Sequence, residues 1–159
     1  MAPKKYSHIN FTPPEGVSKA AERGLELRRE APKSKKGGLS VSQAKKEGVG
    51  SGVQRAVNLK NKDTLSPDTV KRMNNFFNRH RKNKSIDKGK TAANDKGYQA
   101  WLLWGGDPGA SWASKVVKQM NAADKNAKFE NFIDGLTTKE NFALMEAVKD
   151  GFILCRNQN

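Results

Sequence analysis

The sequence predicts an all-α protein, a small bundle of about five to seven short helices joined by basic loops and preceded by a flexible N-terminal arm. Three observations carry this expectation. Apolar residues recur at three and four positions along several stretches, which is the helical spacing. Those stretches open on Ser, Thr or Asp followed by Pro and close on Gly, the start and stop signals of helices. No segment alternates apolar and polar residues cleanly at period two, and only the run "FILC" near the end is ambiguous.

Residues 1–11 read as the arm. In "TPPE", Thr12 and Glu15 have capping-box spacing, so the first helix is expected from Thr12 to about Glu30. Val17, Ala20, Ala21, Gly24, Leu25 and Arg28 would form its narrow inner face. "APKSKKGG" is a basic connector. Two short helices follow, Ser42 to Glu47 and Ser51 to about Lys60, the second with Val53, Ala56 and Val57 on its apolar side. Gly48, Gly50 and Gly52 punctuate the join. Glycines at such a join can let backbone N–H groups approach a phosphate, but no Gly-Lys-Ser/Thr follows, and they are read as turn residues.

The clearest helix is "LSPDTVKRMNNFFNRHRKN". Ser66 has the N-cap position, Pro67 the first helical one, and Leu65 and Val70 have hydrophobic-staple spacing. Val70, Met73, Phe76, Phe77 and His80 fall on one side, and Lys71, Arg72, Asn75, Asn78, Arg79 and Lys82 on the other. After a polar loop, "DKGYQAWLLWGGDPGASWASKV" reads as a helix from about Asp95, a stop at Gly105, and a further helix capped by Asp107. Its tryptophans Trp101, Trp104 and Trp112 are expected in the core, not as a base-stacking platform. Beyond residue 124, Phe129, Phe132, Ile133 and Leu136 form one apolar stripe. Thr137 and Glu140 introduce a last helix with Phe142, Met145, Val148 and Phe152 on one face.

Charge divides the chain. The first 96 residues hold 23 Lys and Arg against 9 Asp and Glu, and the remaining 63 hold 7 against 7, so the whole formal charge of +14 lies in the first part. An extended basic region attracts polyanions by counterion release and by its long-range field. Nucleic acid is the expected partner, DNA ahead of RNA. The expected contact residues are Lys71, Arg72, Asn75, Asn78, Arg79, Lys82 and Lys84, assisted by Lys35 and Lys36 and by Lys115 and Lys118. Composition suggests an arm at 1–11, a basic helical domain at 12–123 and a near-neutral helical appendage at 124–159.

No apolar run approaches the roughly 18 residues of a membrane span, and no apolar stretch follows the basic start as in a secretory signal. A lone Cys155 makes no internal disulfide and reads as a small buried hydrophobe. His8 and His80 have no Cys, Asp or Glu partner at metal-ligand spacing, so no metal or other cofactor is expected. No nucleophile-elbow, zincin or dinucleotide motif occurs, and the expectation is a protein without catalysis. A nuclease role for His80 is the lowest-ranked alternative.

"SGVQRAVNLKNKDTLSPDTVKRMNNFFNRH" and "DKGYQAWLLWGGDPGASWASKV" together resemble a small domain of tailed phages of marine and cyanobacterial hosts, whose function is unknown. The matching positions are Ser66, Pro67, Thr69, Arg72, Met73, Phe76, Phe77, Arg79, His80, Trp101, Trp104, Gly105, Gly106, Asp107, Gly109, Trp112 and Ala113. The resemblance covers roughly residues 9–121. It departs after Arg79-His80, where an acidic residue is common in the family and this chain has the basic "RKNK". The resemblance implies a location in the host cytoplasm during infection or in the virion. Two rival roles stand beside nucleic-acid binding: a structural virion component held by protein–protein contacts, or a host-directed effector that binds an acidic host protein, with the C-terminal helix as the expected docking element for either partner.

Overall fold

The computed structural model describes residues 2–135. Within them the fold is all-α: α1 (Glu15–Glu30), α2 (Val41–Glu47), α3 (Gly52–Lys60), α4 (Pro67–Arg79), α5 (Lys96–Leu103) and α6 (Gly106–Gly135), with no strand among the described residues. Short 3-10 turns occupy Lys4–Tyr6, Lys33–Lys35, Arg81–Lys84 and Ala92–Asn94. The expected helical segments 137–152 and Cys155 lie outside the described residues.

The helix starts follow side-chain chemistry. Ser66 accepts a hydrogen bond from Thr69 N–H, Ser51 from Gln54 N–H, and Asp95 from Tyr98 N–H. α2 begins one residue earlier than its sequence suggests, because Ser40 and Gln43 form a complete capping box. The box expected at Thr12 and Glu15 does not form. α1 starts at Glu15 with Pro14 in extended conformation before it. The reason is the proline pair: a residue that precedes proline is pushed out of the α region, so Pro13 cannot be helical. Thr12 pairs instead with Thr64 through their hydroxyls (3.2 Å), and Glu15 with Lys62.

Residues 2–11 are not a free arm. Tyr6, Ile9 and Phe11 are buried, and Phe11 C=O accepts a hydrogen bond from Leu65 N–H (3.0 Å). α1 packs against α3 and α5, and α3 against α5. At Gly24 the α1 backbone approaches α5 so closely that an added Cβ would meet Leu103 N at 2.8 Å. Val70, Met73 and Phe77 of α4 are buried, as expected. On α3 the buried residues are Gly52, Ala56 and Leu59, whereas Val57 is exposed. The inward face is therefore turned from the one its valines suggest.

Gln99 ties separate segments together. Fully buried, its amide accepts from Gly37 N–H (2.7 Å) and donates to Ala92 C=O (3.2 Å). Trp101 is buried, edge-on to Phe77 at 4.8 Å, whereas Trp104 and Trp112 are half-buried. The turn between α5 and α6 needs Gly105 and Gly106, at φ of +116° and +63°. α6 begins at Gly106, so Asp107 lies in its first turn, where its carboxylate accepts a hydrogen bond from Trp101 Nε1–H (2.8 Å). The change of composition near residue 124 falls inside α6. The contact pattern divides the chain slightly earlier, between Gln119 and Met120.

Candidate anion-binding cleft

The basic face of α4 does not lie on an open ridge along its whole length. Arg72, Asn75, Phe76 and Arg79 form one wall of a cleft of about 710 Å³. They reach it because Val70, Met73 and Phe77 anchor the opposite side of the same helix. α3 supplies Gly52 and Arg55, α5 supplies Ala100 and its C-terminal cap Trp104, and the turn after α2 supplies Gly48, Val49 and Gly50. His80, at the C-terminal cap of α4, completes the lining.

A run of ring contacts forms the apolar part. His80 and Phe76 have centroids 4.7 Å apart, and Phe76 stacks on Trp104 at 4.7 Å with an interplanar angle of 13°. The Arg55 guanidinium carbon lies 5.8 Å from the Trp104 ring centre, within cation–π range. Stacking thus holds Trp104 within the protein, and holds Arg55 beside it.

Electrostatically the cleft is one-sided. Its lining contains Arg55, Arg72 and Arg79 and no carboxylate. Arg55 Nε is buried without a hydrogen-bond partner. Burial, and then the nearby charge of Arg72, lower the Arg55 pKa from its ordinary value. Burial also lowers that of His80, and the charges of Arg79 and Lys82 add to the effect. Burial penalises the charge on each group, and the neighbouring cations add a repulsion that an anion would offset. The glycine rim leaves backbone accessible: a Cβ at Gly48 would meet nothing within 4 Å, and one at Gly50 only the far edge of Trp104 at 4.0 Å.

Of the residues expected to contact nucleic acid, the structure brings Arg72, Asn75 and Arg79 to this cleft. Lys35 and Lys82 line a second recess of about 460 Å³, with Lys90, Lys96, Asp87 and Asp95. Lys36 has a structural partner, its ammonium donating to the carbonyls of Arg28 and Arg29 at the end of α1. Asn78 accepts a hydrogen bond from Arg81 (3.1 Å). Lys71, Lys84, Lys115 and Lys118 are exposed and line neither recess.

Arg55 escaped the sequence reading. Its signal was present: Gly52, Arg55, Ala56 and Leu59 share helical spacing, so an arginine sits on the inner face of α3. The glycines read as turn residues do terminate α2 and start α3, and they also form the cleft rim. Among the described residues no three His, Cys, Asp or Glu side chains gather as a metal site, and no helix is long and apolar enough to cross a membrane. No protein-family model, curated protein or solved structure matches this chain.

Proposed function

We propose that this protein binds nucleic acid electrostatically, with little sequence preference and without catalysis, and that it acts in the phage setting its sequence resembles. The observation that carries the reading is the convergence of Arg55, Arg72 and Arg79 on a cleft with no carboxylate in its lining. Guanidinium groups match phosphate oxygens geometrically, and contacts of this kind position a protein without reading base sequence. DNA is the expected partner, with the exposed cations of α4 outside the cleft adding to the attraction.

The test is a binding titration at two salt concentrations. Each neutralised phosphate of duplex DNA contributes about −0.9 to the slope of log affinity against log salt. Replacing Arg72 and Arg79 with Gln should leave folding intact, because both are exposed, and reduce the slope by about two phosphates' worth. Equal affinities and slopes for the two proteins would remove α4 as the binding surface.

A second reading, a structural virion component, is favoured by Phe132 on α6, which has 56% of its surface exposed. A protein partner would bury it, and binding to that partner would survive the arginine substitutions.

A further inference from the structure

We propose that the cleft is a specific seat for a phosphomonoester, namely the phosphorylated end of a nucleic-acid strand. This rests on the nucleic-acid reading above and sharpens it, since general attraction to a phosphate backbone requires no recess.

The first argument is shape. Arg55 stands on α3 and Arg72 and Arg79 on α4, and all three line one concavity instead of a ridge. An internal phosphodiester continues into nucleotides on both sides, whereas a strand end can enter a recess. The second argument is charge. A terminal phosphate carries about −1.5 to −2 near neutral pH, compared with −1 for a diester. Three guanidinium groups with no carboxylate in the lining exceed what one diester would balance.

The third argument is the state of Arg55. If it served only to cover Trp104, an uncharged side chain would do so without burying a donor. Instead its Nε is buried and unpartnered, beside the charge of Arg72. An anion in the cleft would offset the neighbouring charge of Arg72, and a turn of the guanidinium towards it would give the buried Nε–H a partner. Asn75 offers an amide donor, and the rim at Gly48, Gly50 and Gly52 has no side chains to exclude the ligand. At Gly48, φ of +68° also disfavours any other residue.

The experiment compares single strands of about twelve nucleotides, identical except for a 5′-phosphate, a 3′-phosphate or hydroxyl ends, with adenosine monophosphate as a competitor. A phosphorylated strand should bind about tenfold tighter than the hydroxyl strand, and Arg79→Gln should erase that advantage. Arg55→Gln should do the same, and if that half-buried change prevents folding, exposed Arg79 carries the test. Adenosine monophosphate that competes only weakly identifies the strand end as the ligand, and competition as strong as the strand's identifies a free nucleotide and overturns the strand-end assignment. Equal affinity for phosphorylated and hydroxyl strands overturns the proposal while leaving general nucleic-acid binding intact. An advantage that survives Arg79→Gln also overturns it. Absence of binding to every strand would overturn both readings.

Discussion

Two of the basic recesses among the described residues, the one beside α4 and the one beside the start of α5, differ in chemistry. The larger is lined by Arg55, Arg72 and Arg79 without a carboxylate, and the smaller by Lys35, Lys82, Lys90 and Lys96 with Asp87 and Asp95 among them. In the smaller one much of the chemistry is internal. Lys90 pairs with Asp87 at 3.2 Å, and Asp95 accepts from the backbone N–H groups of Asp87 (2.8 Å) and Tyr98 (3.1 Å). Burial opposes ionisation of Asp95, yet those N–H groups, Lys90 and Gly97 outweigh it and hold its carboxyl below the usual range. Counting lysines and arginines along the chain does not distinguish the two recesses. What separates them is whether carboxylates stand among the cations.

The strongest way to break the comparison is to remove what both share. α5 and its C-terminal cap contribute Ala100 and Trp104 to the larger recess, and α5 contributes Lys96 and Gly97 to the smaller. Trp101 anchors that helix through Phe77 and Asp107. Trp101→Ala should cost about 3–5 kcal/mol in chemical denaturation and weaken nucleic-acid binding in proportion to the unfolded fraction. A smaller cost would mean that α5 is held mainly by its glycine contacts with α1.

Asp95→Ala should disturb the smaller recess, which Asp95 lines, more than the larger. It strips a buried acceptor from two N–H groups and should cost about 1–3 kcal/mol. Because the folded Asp95 pKa is lowered, its stabilising effect is present above the unfolded carboxylate range and fades as pH falls through the folded value. The difference in stability between wild type and variant should therefore shrink in strong acid. Nucleic-acid affinity of the folded variant should not fall, and a loss equal to that of the arginine variants would erase the distinction between the recesses.

The smallest effect belongs to His80. Its pKa is lowered from 6.5 by burial, Arg79 and Lys82, so the unfolded chain takes up its proton at higher pH than the folded one. Stability should accordingly decline slightly as pH drops below about 6.5 towards the folded pKa. An anion in the cleft would favour the protonated ring, so affinity should rise over the same window. His80→Gln should flatten both trends, and an unchanged affinity profile would place the ligand away from His80.

The sequence made α4 legible almost residue by residue. Ser66, Pro67 and a one-sided apolar stripe are local signals, and nothing distant contradicts them. The first eleven residues were not legible, because burial of Tyr6, Ile9 and Phe11 depends on partners such as Leu65 far along the chain. The start of α1 was misplaced where two prolines outweighed a good cap. Half of the site was visible as the polar face of α4. The other half was hidden because Arg55 stands among small buried residues of α3, and because glycines that end one helix and begin the next also leave room for a ligand.

The most direct measurement is nuclear magnetic resonance of the arginine side chains, following Nε–Hε signals as a 5′-phosphorylated single strand is added, with the backbone amides of α6 observed alongside. The account predicts that Arg55, Arg72 and Arg79 shift together at the same ligand concentration, with Arg55 Nε–H moving towards the position of a hydrogen-bonded donor, while the amides of Lys115 and Lys118 stay nearly still. Shifts centred on α6, with the three arginine signals unmoved at saturation, would contradict it.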